Sequence, residues 1–166
     1  MKNFSRLFIA VALALAFCIQ STFAHEGHNE KKKNAVVKKE QKEWGIAGDV
    51  KKVTRTIKIS MSDAMRFTPD KIEVKKGETV RISLTNKGKL LHEMVIGTKK
   101  ELEEHAALMV KFPTMEHDEP YMAHIPAGKT GEIIWTFNKA GEFDFACLIA
   151  GHYSSGMVGK IVVAAK

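Results

Sequence analysis

From Val53 to the C-terminus the chain is built of short runs that either alternate apolar with polar residues or are wholly apolar, each closed by Gly, Asn, Pro or Lys. Such runs suit strands, because a strand shows alternate side chains to opposite faces and stops where the backbone must turn. Strands are expected at 53–61, 67–74, 79–85, 91–96, 131–137, 141–147 and 158–164, with turns at Lys75-Lys76-Gly77 and Asn86-Lys87-Gly88. One stretch has a different period: in Lys99–Lys111, Leu102, Ala106 and Met109 recur at helical spacing before Pro113 ends the run. The acidic residues 114–122 read as irregular. Seven strands with one helical excursion fit an all-β, Greek-key two-sheet sandwich with a short helical insertion, since antiparallel strands joined by short turns bury their alternating faces against each other.

The segment before residue 53 reads differently. Lys2 and Arg6 precede the apolar run 7–19, and Thr22-Phe23-Ala24 follows it. This is the pattern of a secretory signal peptide at 1–24, cleaved after Ala24, and it predicts a periplasmic protein. The run is short for a membrane span and no second one follows, so no transmembrane segment is expected. Residues 25–50 hold Lys31, Lys32, Lys33, Lys38, Lys39 and Lys42 and read as a flexible lysine-rich tail, leaving 51–166 as the folded domain. Loss of Lys2 and Arg6 lowers the formal charge from +7 to +5. Export and the lack of interleaved aromatic residues argue against nucleic acid as a partner.

Of the two cysteines, Cys18 leaves with the leader, so Cys147 is the only thiol of the mature chain and no internal disulfide can form. A lone thiol in an oxidising compartment must be buried or bound. Its surroundings point to binding. The strand ending at Cys147 runs into a loop holding His152 and Met157, and Gly151 and Gly156 let that loop fold back. Singly, a buried cysteine, a loop histidine and a core methionine are ordinary. Together they supply thiolate, imidazole and thioether, three of the four donors of a trigonal copper site with a weak axial sulfur. His92, after the Asn86-Lys87-Gly88 turn, is the natural source of the second imidazole.

Met65-Arg66-Phe67-Thr68-Pro69, residues 72–80, Leu91-His92-Glu93-Met94 and the loop 147–157 resemble the bacterial cupredoxins over most of residues 53–166. The resemblance implies a plastocyanin- or azurin-like type 1 copper site with His92 and His152 as equatorial nitrogens, Cys147 as equatorial thiolate and Met157 as axial sulfur. Cupredoxins often carry Asn after the first histidine, where it ties ligand loops together; this chain has Glu93. Its backbone N–H can still donate to the Cys147 sulfur, but the side-chain tie does not carry over from the family pattern.

Four protein donors leave copper no open position for substrate, and Cys147 lies between Ala146 and Leu148 rather than beside a histidine that would lead to a catalytic copper. A non-enzymatic protein is therefore expected, with copper ions and a periplasmic redox partner as its contacts. Met109, Met115, His117, Met122 and His124 crowd the insertion, and His25 and His28 open the mature chain, so a second copper site is a further expectation. With these extra donors, the chain resembles the periplasmic copper-tolerance cupredoxins of the CopI type. The competing reading is a mobile electron-transfer cupredoxin.

Overall fold

The computed structural model describes residues 39–115 and 118–165. Their strands, in chain order, are β1 (Ile46–Ala47), β2 (Arg55–Ser62), β3 (Arg66–Thr68), β4 (Lys71–Lys75), β5 (Glu78–Asn86), β6 (His92–Gly97), β7 (Met122–Ile125), β8 (Thr130–Phe137), β9 (Gly141–Ala146) and β10 (Val158–Ala164). One helix, α1 (Lys99–Lys111), stands between β6 and β7. The strands form two five-stranded sheets, ordered β1-β8-β5-β2-β3 and β4-β10-β9-β6-β7. Ile59, Ile82, Leu84, Ile133, Trp135 and Phe137 of the first sheet meet Ile72, Met94, Ile96, Phe145 and Ile161 of the second in one core.

The helical insertion expected at Lys99–Lys111 is present with those bounds. Thr98 and Glu101 cap its start reciprocally, each side chain accepting from the other's backbone N–H. Its role emerges only in three dimensions. Every residue of β6 is buried, which an antiparallel strand with one wet face would not show. Met94 and Ile96 point into the main core, whereas Val95 joins Leu102 and Met109 of α1 on the opposite face. The helix thus covers the outer side of β6 and β9, the two strands that lead to Cys147 and His92.

Several expectations change. The single strand expected at 67–74 is two, β3 and β4, lying in different sheets, and the chain crosses between sheets at Pro69. Because that crossing intervenes, β5 returns beside β2 in parallel, over Arg55↔Val80 to Met61↔Asn86. In the other sheet, β10 lies parallel to β4. Both sheets are therefore mixed, not purely antiparallel. The end of the stretch read as irregular passes into β7, which pairs with β6 through His92↔Ile125 to Val95↔Met122.

Packing contacts also reach into the segment before residue 51. Trp44 and Ala47 are buried, and β1 pairs with β8. The Trp135 indole N–H donates to the Trp44 carbonyl at 2.9 Å. Gly45 sits so close to β8 that a Cβ there would fall 2.3 Å from the Thr136 carbonyl oxygen, at a φ of +131°. The flanking lysines hid this short apolar anchor from a reading based on composition. The segment 1–24 read above as a signal peptide, the segment up to residue 38 read as tail, and with them His25 and His28, lie outside the described residues, as does His117. Among the described residues no helix is long and apolar enough to cross a membrane.

Candidate metal centre

Strand periodicity decides which side chains meet at the mouth of the sandwich. On β9, Phe143 and Phe145 face the core, and Cys147, one step past the strand's end, continues that face. On β6, His92 shares the core face with Met94 and Ile96, while Glu93 faces the helix side with Val95. β6 and β9 are antiparallel with Val95 opposite Ala146. Continued past the end of β9, that register sets Glu93 opposite Leu148 and Met94 opposite Cys147, with His92 next along the core face.

The loop 148–156 is tied by its own backbone. Cys147 N–H donates to the Met157 carbonyl at 3.1 Å, and Met157 N–H donates to the His152 carbonyl at 3.1 Å. His152 N–H reaches the Ile149 carbonyl at 2.9 Å, and Gly156 N–H the Tyr153 carbonyl at 2.9 Å. Gly151 and Gly156 take φ values of +88° and +85°, a region that side chains with a Cβ rarely adopt. Arg66 of β3 grips the same loop from outside, its guanidinium donating to the carbonyls of Ser155 at 3.0 Å and Gly156 at 3.3 Å.

This scaffold brings ligand atoms of His92, Cys147 and His152 within 4.8 Å of one another, the one such grouping of His, Cys, Asp and Glu found among the described residues. The Cys147 sulfur lies 3.2 Å from His152 Nδ1. Met157 is fully buried in the same core cluster as Cys147. His92 is buried as well; its Nε2 meets Asp63 Oδ1 at 3.1 Å, while its Nδ1 has no hydrogen-bond partner. A buried imidazole nitrogen is normally satisfied, so an orphan beside a thiol and a second imidazole marks a place for a metal. Two imidazoles, a thiol and a thioether form a donor set that fits copper.

Burial pushes the Cys147 thiol up to about 12, outweighing the Glu93 backbone N–H that donates to its sulfur at 3.4 Å. Burial, and then the neighbouring His92, hold the His152 imidazole below its usual value. Without metal, the centre at neutral pH is thus a neutral thiol beside a neutral imidazole. Glu93 ties the ligand loops after all. Its Oε1 accepts from Leu148 N–H at 2.8 Å, and its Oε2 lies 2.6 Å from His124 Nε2 across the β6–β7 pair.

The residues considered for a second site are scattered. Met109 and Met122 do meet, but inside the small core cluster of Val95, Leu102, Ala146 and Leu148, where packing accounts for both. Met115 is exposed, and His124 is engaged with Glu93. Asp63, Asn86 and Arg66 escaped the sequence reading. Asp63 meets His92 across 29 residues, Asn86 reaches Ile125 across 39 and Arg66 reaches Gly156 across 90, separations over which no local pattern announces a contact.

The model of the family "Copper binding proteins, plastocyanin/azurin family" matches residues 53–164. A protein of Rubrivivax gelatinosus named "Copper-resistant cuproprotein CopI" is 43% identical over 155 residues, covering 93% of each chain. A protein of the same name from Pseudomonas aeruginosa is 36% identical over 149 residues, covering 72% of this chain and 82% of its own. Among solved structures, reduced auracyanin from Roseiflexus castenholzii superposes with a TM-score of 0.58 at 20% identity, over 68% of this chain and 98% of that one. Auracyanin A from Chloroflexus aurantiacus gives 0.54 at 24% identity, over 65% and 97%. At such identities the structural likeness speaks for the fold alone.

Proposed function

The chain belongs to the plastocyanin/azurin family of copper-binding proteins, and from that membership we propose that it is a periplasmic, non-enzymatic cuproprotein of copper tolerance, holding copper through His92, Cys147, His152 and Met157. The observation that carries the ligand assignment is the orphaned His92 Nδ1, buried next to Cys147 and His152. The relatives named for copper resistance, one matching along 93% of both chains, support the tolerance role. The apparent leader at 1–24 supports export.

Copper bound by such a set supplies one-electron chemistry between Cu(I) and Cu(II). The chain's own contribution is to hold the donors still. Glu93 and the β9–β10 ladder fix the thiol, the glycine-bearing loop presents His152, and the sandwich excludes water from Cys147 and Met157. His152 is only partly buried and is the ligand nearest solvent. Exposed Leu90 and Leu91, just before His92, favour the alternative of an electron carrier with an apolar docking face.

The test is metal stoichiometry and visible spectroscopy on mature protein titrated with Cu(II), together with growth of a deletion strain. A sulfur-to-copper charge-transfer band and copper sensitivity on deletion are expected. A respiratory defect without copper sensitivity would favour the carrier, and no band would remove the site.

Copper uptake should also depend on pH. A thiol with its pKa raised from 9.0 to about 12 stays protonated from neutral pH to well above 9, so metal binding must expel its proton. His152, held neutral, contributes no second proton there. Apparent affinity is expected to tighten by about tenfold per pH unit between roughly pH 7.5 and 9. Competition against a chelator of known pH dependence measures this; a flat profile would show that the thiol is already ionised in the apo protein.

A further inference from the structure

We propose that Asp63 is a positioning residue of the copper site: its carboxylate holds the His92 ring in the tautomer that leaves Nδ1 bare for the metal, and its charge weights the site toward Cu(II). This inference rests on the ligand assignment above.

An ionised carboxylate only accepts hydrogen bonds. The 3.1 Å contact between His92 Nε2 and Asp63 Oδ1 therefore places the proton on Nε2. A neutral imidazole protonated at Nε2 carries its lone pair on Nδ1, the buried atom without a hydrogen-bond partner. Ring orientation and metal-facing lone pair thus follow from one outer contact. A carboxylate behind a ligating imidazole also strengthens it as a donor, which favours the more highly charged ion.

The carboxylate is itself held in place. Lys89 N–H donates to its Oδ2 at 2.8 Å and Leu90 N–H to its Oδ1 at 3.2 Å, so both carboxylate oxygens already stand as acceptors. Glycine at 88 lets the loop after β5 close over Asp63 in this position: a Cβ there would fall 1.9 Å from Asp63 Oδ1, so carboxylate or loop would have to shift. Buried Asn86 fastens the loop's far side. It donates to the carbonyls of Leu90 and Ile125, both at 2.8 Å, and accepts from Gly88 N–H at 2.8 Å. Carboxylate, loop and ring form one unit, with a third of the Asp63 side chain open to solvent, which screens its charge in part.

Two variants separate charge from hydrogen bonding. Asp63→Asn keeps an acceptor oxygen and removes the charge; Asp63→Ala removes both. In copper-loaded Asp63→Asn, the ratio of Cu(II) to Cu(I) affinity is expected to fall about threefold to tenfold, a rise in reduction potential of about 30–60 mV at 59 mV per tenfold for one electron. In the apo form of Asp63→Ala, nitrogen NMR of the His92 ring is expected to show a mixture of tautomers where the wild type shows Nε2–H alone. A wild-type potential in Asp63→Asn, or an unchanged tautomer in Asp63→Ala, overturns the proposal. If the wild type itself shows no charge-transfer band, the ligand assignment fails instead, and the two failures stay distinct.

Discussion

Cys147→Ser is expected to abolish the charge-transfer absorption of the copper-loaded protein and to leave its fold in place. Cys147 is completely buried, and its sulfur is within hydrogen-bonding reach of both the Glu93 backbone N–H and His152 Nδ1. A serine hydroxyl occupies nearly the same space and can accept from Glu93, so the strand ends stay joined. It cannot become an anion at accessible pH or offer the soft donor that copper selects. Absorption spectra and copper content of wild type and variant, with far-ultraviolet circular dichroism of both, measure the effect. Identical visible spectra would remove the central role assigned to the thiol.

Phe145→Ala should do the reverse, sparing the ligands and costing stability. Phe145 lies two residues before Cys147 on the same face of β9 and is fully buried. Its ring meets Phe67 edge-on with centroids 5.0 Å apart, joining the inner face of one sheet to β3 of the other. It also fills the space over Gly159 of β10, where a Cβ would fall 2.1 Å from Phe145 Cζ. Truncation to Ala is expected to cost about 3–5 kcal/mol. For a domain of this size that lowers the midpoint of thermal unfolding by about 10 °C or more. Denaturation of the apo forms measures the loss, and a cost below about 1 kcal/mol would mean that the neighbouring side chains collapse into the space. At low temperature the variant should still develop the copper band, so the two substitutions separate site from scaffold.

Local pattern carried much of the architecture. The change of period at Lys99–Lys111 marked the helix, and alternation marked β5, β8, β9 and β10. What escaped was written at a distance. β7 is four residues long and follows an acidic stretch, so its identity rests on pairing with β6. β1 has two residues among lysines and exists because Trp44 finds a place against Tyr121 and beneath the Trp135 indole. The split of 67–74 into two sheets shows locally only as a slip of phase, from buried Phe67 to buried Ile72 and Val74 across Pro69, and which sheet each half joins depends on distant partners. The side-chain tie at Glu93 was missed because it depends on Leu148, 55 residues away, and not on the neighbours of Glu93 in sequence.

By itself the sequence determined the chemistry on offer: a thiol, a thioether and an imidazole on and beside one glycine-bearing loop, and a second imidazole at the start of a strand. Residue type sets donor softness, and strand period sets the facing of His92 and Cys147, so both can be read locally. Only the tertiary structure decided which nitrogen of His92 faces inward, that Asp63 stands behind it, and that α1 and Glu93 seal the side of the site away from the core. Those outcomes turn on angstrom-scale separations between residues far apart in the chain, and such distances exist only once the two sheets have packed.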